Sequence, residues 1–258
     1  MKNLLITFGC FLILANTNCL AQTEHFTTSG IIEFTKTSNA YAIIRKEINK
    51  DNESYTQNAF EEYKKTQPQF KVLKSTLKFG SNKTLFTPVE PETPPTNYFF
   101  NVVIAEQNST VYTDLNTGIS TSQKKVFEET FLLKDTVRKI KWKITDETRE
   151  IAGYQCRRAN ALIMDSVYVV AFYTDRILVT GGPESFTGLP GMILGVALPH
   201  ENVSWFATKI TDTSMPESTI IPPKKGKPVN NTQFKETLNS ALKEWGTYAH
   251  SYLKAFYL

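Results

Sequence analysis

Between residues 97 and 174 the sequence is divided into short, apolar-rich segments by turn-forming residues. Each segment runs about seven to eleven residues, from NYFFNVVIAE to SVYVVAFYT, and the breaks hold groups such as Asn116-Thr117-Gly118 and Met164-Asp165. Parallel strands need long crossover connections, whereas antiparallel neighbours need only tight turns. The spacing therefore predicts a mainly β (α+β) fold built on a curved antiparallel sheet or meander.

The N-terminal part of the chain adds strands and a short helix to this prediction. SGIIEFTKT is typical of a first strand, and NAYAIIRKEI is expected to pair with it. Residues 51–66 place aromatic side chains at four-residue spacing ahead of Pro68, which predicts a short amphipathic helix. FKVLKSTLKFG then alternates between apolar and polar residues, which predicts another strand.

The apolar period lengthens to that of a helix near the C-terminal end. Residues 231–258 place a wide aromatic stripe on one side, which predicts one long amphipathic helix packed on the sheet. A partner protein or a membrane surface is the alternative cover for this stripe. Asn230 and Gln233 fit a reciprocal N-terminal cap. The β-rich domain is then expected at 22–211, followed by a Pro- and Lys-rich linker at 212–230.

The first 21 residues are typical of a secretory signal peptide. Lys2 is followed by an apolar run too short to span a membrane, and Cys19-Leu20-Ala21 supplies the small residues of a cleavage site. Acylation of Cys19 is the alternative. We therefore expect an exported protein, periplasmic or extracellular, cleaved near Ala21, with no transmembrane span.

Charge and cysteine content exclude some classes of protein. Without the signal peptide the chain has 28 basic and 25 acidic residues, too even a balance to predict nucleic-acid binding. Cys156 is then the only cysteine, so no internal disulfide can form. Its position in the middle of a predicted strand favours a buried structural thiol over a nucleophile.

No motif in the sequence predicts a particular reaction. H-E-x-x-H, G-x-S-x-G and the P-loop pattern are absent, and the histidines are scattered, so we expect no metal and no cofactor. Cys156 and His200 are the one thiol–imidazole pair that a fold could bring together as nucleophile and base. They are the weak catalytic candidates.

The stretch SFTGLPGMILGVALP combines three glycines and two prolines with apolar residues. Leu189-Pro190-Gly191-Met192 fits a type II turn, in which proline presets φ and glycine supplies the positive φ. The following residues are apolar on both faces, which predicts a strand covered on both sides, with the terminal helix packed near Gly195 and Ala197. For the preceding GGPESF segment, the sequence predicts a docking loop around Glu184.

This stretch resembles the GLPGLI (Porph_ging) family of exported Bacteroidota-type proteins. KWKITDETREIAGYQCRRANA resembles the second signature of that family. The resemblance implies a secreted or periplasmic β-rich protein, often associated with outer-membrane transport, and carries over no catalytic residue. The motif residues that carry it are Gly182, Pro183, Phe186, Gly188, Leu189, Pro190 and Gly191.

Export, strand density and the lack of a catalytic set together predict a non-enzymatic envelope protein. It would act as a binding, carrier or accessory module, with an outer-membrane receptor, another envelope protein or an apolar ligand as its partner. The alternative is an envelope thiol- or metal-dependent hydrolase that uses Cys156 and His200. A buried Cys156 with no histidine nearby would count against the thiol version.

Overall fold

The computed structural model describes residues 26–90, 100, 102–246 and 248–258. Across these residues the chain forms one mixed sheet of twelve strands, with five α-helices. The prediction of a mainly β fold is therefore confirmed. The predicted signal peptide lies outside the described residues, and no helix within them is long and apolar enough to cross a membrane.

In chain order the strands are β1 (Gly30–Asn39), β2 (Phe70–Gly80), β3 (Lys83–Pro88), β4 (Thr110–Asp114), β5 (Ile119–Val126), β6 (Glu129–Thr136), β7 (Lys143–Ile151), β8 (Tyr154–Ile163), β9 (Val167–Thr174), β10 (Met192–Leu198), β11 (Val203–Asp212) and β12 (Lys227–Val229). The helices are α1 (Ala40–Glu47), α2 (Glu53–Thr66), α3 (Val103–Glu106), α4 (Asn231–Ala241) and α5 (Tyr248–Tyr257).

The sheet consists of two antiparallel meanders placed side by side. The order across it is β12-β6-β5-β4-β3-β2-β1-β11-β10-β9-β8-β7, so the pairing of β1 with β11 joins the meander β1–β6 to the meander β7–β11. β12, from the stretch predicted as a linker, runs parallel to β6 at one edge. Predicted turn residues Gly118, Met164 and Asp165 take positive φ between antiparallel neighbours, as tight hairpins require.

The segment NAYAIIRKEI contains a helix, so the prediction of a second N-terminal strand is wrong. β1 ends at Asn39, whose side-chain oxygen accepts a hydrogen bond from Ala42 N at 3.1 Å and so caps α1. Ala40 and Ile44 are buried on one side of this helix. The cap and the helical spacing of these apolar residues outweigh the β preference of the isoleucines. The helix predicted at residues 51–66 is confirmed as α2.

Other predicted strands are also interrupted. KKVFEETFLL folds as the hairpin β5–β6, with Phe127 in the left-handed conformation (φ 53°) at its turn. The described part of NYFFNVVIAE contains α3. KIKWKIT becomes a strand only at Lys143, and the preceding Trp142 donates its indole N–H to Thr187 O at 2.9 Å. In these segments a turn, a helix or a distant contact replaces part of the strand that the local alternation of residues predicted.

The prediction of one long C-terminal helix is wrong, because the helix breaks near Gly246. α4 ends at Ala241, a short 3-10 turn follows, and Gly246 takes φ 56° and ψ −132°, outside any helical region. α5 then begins at Tyr248. The predicted cap is confirmed, since Asn230 and Gln233 exchange side-chain to backbone hydrogen bonds at 2.9 and 3.0 Å. Two shorter helices can pack at different angles, which a single straight helix cannot.

The glycine–proline stretch forms a tight corner that leads into the centre of the sheet. Gly191 N donates to Leu189 O at 2.8 Å, which closes a three-residue turn about Pro190 in place of the predicted type II turn. Gly191 has a φ of 141°. β10 then pairs with both β9 and β11, and every residue except Ala197 is buried. The prediction of a strand covered on both sides is confirmed.

The terminal helix is not what covers Gly195. A Cβ at that position would lie 2.6 Å from the ring of Phe206 and 3.0 Å from Ile151 Cδ1. Arg149 lies over the Phe206 ring at 4.9 Å. The small side chain therefore makes room for an aromatic residue of the neighbouring strand β11, a contact within the sheet.

Candidate functional site

Cys156 is a structural thiol. It is fully buried in the main core on β8, and its Sγ donates to Tyr154 O at 3.4 Å. Burial raises the pKa of the thiol to about 12, because the thiolate would lose its hydration. A thiolate is the reactive form of cysteine. Cys156 is therefore protonated and inert in the folded protein near neutral pH.

His200 lies far from Cys156, so the predicted thiol–imidazole pair does not form. His200 is exposed on the 3-10 turn Pro199–Glu201, with its ring 6.2 Å from that of Tyr168. Tyr168 pairs with Leu162 in the sheet. That pairing lies about six residues along β8 from Cys156, a separation of roughly 20 Å. The alternative prediction of a thiol hydrolase is therefore wrong.

Metal chemistry has no preformed site in the described part of the chain. No three side chains of His, Cys, Asp or Glu come close enough there to hold an ion. A groove of about 540 Å³ lies between helices. Its volume falls in the range typical of ligand sites. Its walls come from α1, α2, α3, the turn at His200 and α5, and include Lys46, Glu47, Asn49, Asn52, Tyr55, His200, Glu201, Tyr248, His250, Ser251, Tyr252 and Lys254.

Asn52 is the residue that ties the helices of the groove together. Its side-chain nitrogen donates to Glu47 O and to Tyr248 OH, each at 2.9 Å. Its side-chain oxygen accepts from Asn49 N at 2.8 Å. Asn52 is itself buried. One side chain thus joins the end of α1, the start of α2 and the start of α5, and so fixes the position of Tyr248.

Charged contacts join α5 and α1 to the turn at His200. Lys254 Nζ lies 2.8 Å from Glu201 Oε1, and Lys46 Nζ donates to His200 O. Desolvation raises the pKa of Tyr252, and the nearby charges of Glu47 and Glu106 raise it further. The Tyr252 hydroxyl therefore remains a hydrogen-bond donor at neutral pH.

Tyr55 and Tyr248 present aromatic surface to solvent at the groove, with 57% and 43% of their surface exposed. Aromatic rings flanked by hydroxyl, amide and carboxylate groups offer both an apolar face and hydrogen bonds. That combination suits a ligand with alternating C–H and O–H groups. The sequence pattern missed this site, because it assigned Tyr248 and Tyr252 to a buried helical stripe. Gly246 inside that stripe was the available signal of a break.

A second group of unusual residues lies buried in the interior. Lys36 and Lys124 are both buried, and Glu184 is close enough to raise the pKa of each. Desolvation is the larger effect and lowers both lysine pKa values to about 8. Desolvation also raises the pKa of Glu184, and the two lysines oppose that rise. Glu184, which is partly exposed, therefore lies near enough to both lysines to offset part of their charge. Four of the six residues of the GGPESF segment are buried, so the segment offers little exposed surface for docking.

The buried cations also hold α5 in place. Lys124 Nζ donates to Phe256 O at 3.0 Å, and the Arg138 guanidinium donates to Tyr257 O. Ser185 Oγ donates to Leu258 O at 2.8 Å. Cations at the carbonyl end of a helix are favourable because that end carries partial negative charge. The interior cluster thus anchors the helix whose outer side lines the groove.

Residues 80–236, more than half of the chain, match the model of the family described as N-glycanase peptide, N-terminal domain. The chain belongs to this family. A comparison with curated protein sequences finds no match. The family range contains β3 to β12, whereas most of the groove residues lie on either side of it.

Solved structures of PNGF-II are similar to this N-glycanase-family chain. A C2 crystal form is 14% identical with a TM-score of 0.51, and the alignment covers 81% of this chain and 32% of that one. A P21 form is 15% identical with a TM-score of 0.49, covering 81% and 33%. An uncharacterized conserved protein from Thermus thermophilus is 5% identical with a TM-score of 0.39, covering 80% and 91%. The C2 form shows a shared fold alone, and the chain spans about a third of the length of PNGF-II.

The family match overturns the resemblance to the GLPGLI family. The motif residues lie inside the matched range, and the structure shows that they form a corner which needs glycine for backbone reasons. Such a local requirement does not by itself define a family. The predicted function, a non-enzymatic binding, carrier or accessory module, is wrong for the same reason, because the matched family is named for an N-glycanase.

Proposed function

We propose that the chain functions in the processing of N-linked glycans, as a domain of an N-glycanase-type enzyme that contacts the glycan. The observation that carries the proposal is the family match over residues 80–236. The groove supports it, because its exposed tyrosines and polar side chains suit a sugar ring. The hydroxyl groups of a sugar would face the amide and carboxylate groups, and its C–H faces would lie on the tyrosines.

The groove is the part of the domain best suited to this contact, because its walls are held by buried and charged groups. Asn52 holds Tyr248 by a hydrogen bond, and the ion pair of Lys254 with Glu201 ties α5 to the turn at His200. Preorganised walls lower the ordering cost of binding. We include the predicted curvature of the sheet in this proposal, because a curved sheet would hold the helices around the opening of the groove. Export and association with an envelope protein or receptor remain predictions.

Titration of the purified chain with N,N′-diacetylchitobiose, the disaccharide at the core of N-linked glycans, tests the proposal by calorimetry. We expect saturable binding that Tyr55→Ala and Tyr248→Ala each weaken about tenfold, the equivalent of one lost aromatic contact. Phe70→Ala is the matched control, because Phe70 is 50% exposed and lies outside the groove. Incubation with an N-glycosylated protein, followed by mass spectrometry of released glycan, measures processing.

Two results would overturn the proposal. One is a complete lack of both disaccharide binding and glycan release at millimolar substrate. The other is binding that Tyr55→Ala and Tyr248→Ala leave unchanged while Phe70→Ala weakens it, which would place the contact elsewhere. Binding that depends on the groove tyrosines supports the proposal whether or not the chain alone releases glycan.

A further inference from the structure

A second, more open cavity of about 610 Å³ adjoins the groove, and we call it the side cavity. Tyr248 and Tyr252 line both spaces, so these two tyrosines form the wall between them. The remaining residues of the side cavity are Glu244, Trp245 and Gly246. The break between α4 and α5 therefore supplies three of the five residues that line this cavity.

Trp245 is a fixed aromatic surface inside the side cavity. It is 41% exposed, and its ring lies 5.0 Å from that of Tyr252 in an edge-on arrangement. Phe127, at the turn of the β5–β6 hairpin, lies 5.6 Å from Trp245 and stacks on Tyr252 at 5.9 Å. Phe127 is itself 45% exposed. These contacts hold the indole in one orientation while leaving surface available.

Gly246 leaves free space next to this surface. A Cβ at Gly246 would meet no atom within 4 Å, so the backbone there is open to an approaching ligand. Glu244 supplies a carboxylate at the rim. The side cavity therefore resembles the groove in its chemistry. Its indole offers an apolar face, and its open backbone segment and carboxylate offer hydrogen bonds.

We propose that the side cavity is a second sugar subsite, so that the chain binds an oligosaccharide across Tyr248 and Tyr252 rather than a single disaccharide. The inference rests on the proposed function, because it assigns the groove to the first sugars. Two adjoining subsites bind connected sugars of one ligand. Each added sugar therefore raises the affinity of the oligosaccharide, because the translational and rotational freedom of the ligand is lost only once. Trp245 then determines the preference for longer glycans.

A series of β1,4-linked N-acetylglucosamine oligomers, from dimer to tetramer, tests this inference by calorimetry. We expect the tetramer to bind about tenfold more tightly than the dimer. Trp245→Ala should remove this gain and leave dimer affinity unchanged, whereas Trp245→Phe should restore part of it. Phe70→Ala should alter neither. Quenching of tryptophan fluorescence by the tetramer, lost in Trp245→Ala, locates the contact.

The outcomes separate this inference from the proposed function. Dimer binding that does not improve with length would overturn the second subsite and leave the groove as the glycan site. Equal loss of dimer and tetramer affinity in Trp245→Ala would also overturn it, because Trp245 would then act through the groove. Lack of binding by every oligomer would overturn the second subsite as well, and together with a lack of glycan release it would overturn the proposed function. Melting curves of each variant check that it is folded.

Discussion

Replacement of Gly191 by alanine should severely destabilise the fold. A Cβ at this position would lie 2.1 Å from Thr174 O, 2.7 Å from Thr174 C and 2.9 Å from Asp175 Cα. All three atoms belong to the backbone, so no side chain can rotate away. Thr174 pairs with Met192 between β9 and β10, and relief therefore requires these central strands to separate.

Three effects contribute to the loss of unfolding free energy in Gly191→Ala. Alanine at a φ of 141° costs about 1–3 kcal/mol. Overlap in a close-packed region adds about 1–3 kcal/mol. A hydrogen bond lost between β9 and β10 adds about 1 kcal/mol. The total of roughly 3–7 kcal/mol is a large part of the about 5–15 kcal/mol by which domains are stable.

Gly118→Ala is the matched control. Gly118 also has a positive φ, 68°, but a Cβ there would meet no atom within 4 Å. It should therefore lose only about 1–2 kcal/mol of unfolding free energy. Urea denaturation followed by circular dichroism measures both variants. A Gly191→Ala protein within about 1 kcal/mol of Gly118→Ala would refute the assignment of backbone overlap.

The thiol and the buried lysines supply further predictions. Cys156 should react with a disulfide reagent at pH 8 only after unfolding, because burial raises its pKa to about 12. Rapid labelling of the native protein would contradict its buried position. Lys36 and Lys124 have pKa values of about 8 in the fold, against an ordinary 10.5, so above pH 8 the folded state binds fewer protons than the unfolded state. The unfolding free energy should therefore rise by on the order of 1–2 kcal/mol between pH 8 and 9. Above pH 9 the raised pKa of Cys156 opposes this rise. Lys124→Met should about halve the rise in denaturation experiments, and a flat profile in the wild type would contradict the burial of both charges.

The local patterns predicted the elements whose signals are themselves local. Alternation and turn residues indicated the antiparallel meanders, because hairpin register depends on neighbouring residues. The spacing at residues 51–66 indicated α2, and Asn230 with Gln233 indicated the cap of α4. The apolar character of β10 on both faces indicated its central place in the sheet.

The errors arose where a single glycine or a distant contact decided the outcome. The stripe at residues 231–258 satisfies helical spacing throughout, yet Gly246 breaks it and leaves Trp245 and Tyr248 exposed. The resemblance based on the glycine–proline motif failed because the motif reflects a local backbone requirement. Gly191 approaches the backbone of Thr174 closely, and this contact needs glycine. The Cys156–His200 pair failed because the sheet separates the two residues along its strands.

By itself, the sequence determined that the chain is mainly β with neighbouring strands joined by tight turns, because periodicity and turn chemistry act over a few residues. Only the tertiary structure decided which side chains share a surface. Asn52 and Tyr248 are hydrogen-bonded across 196 positions of the chain, and Glu184 interacts electrostatically with Lys36 and Lys124, which lie on two other segments. Such contacts depend on the packing of whole elements, and no local pattern encodes them.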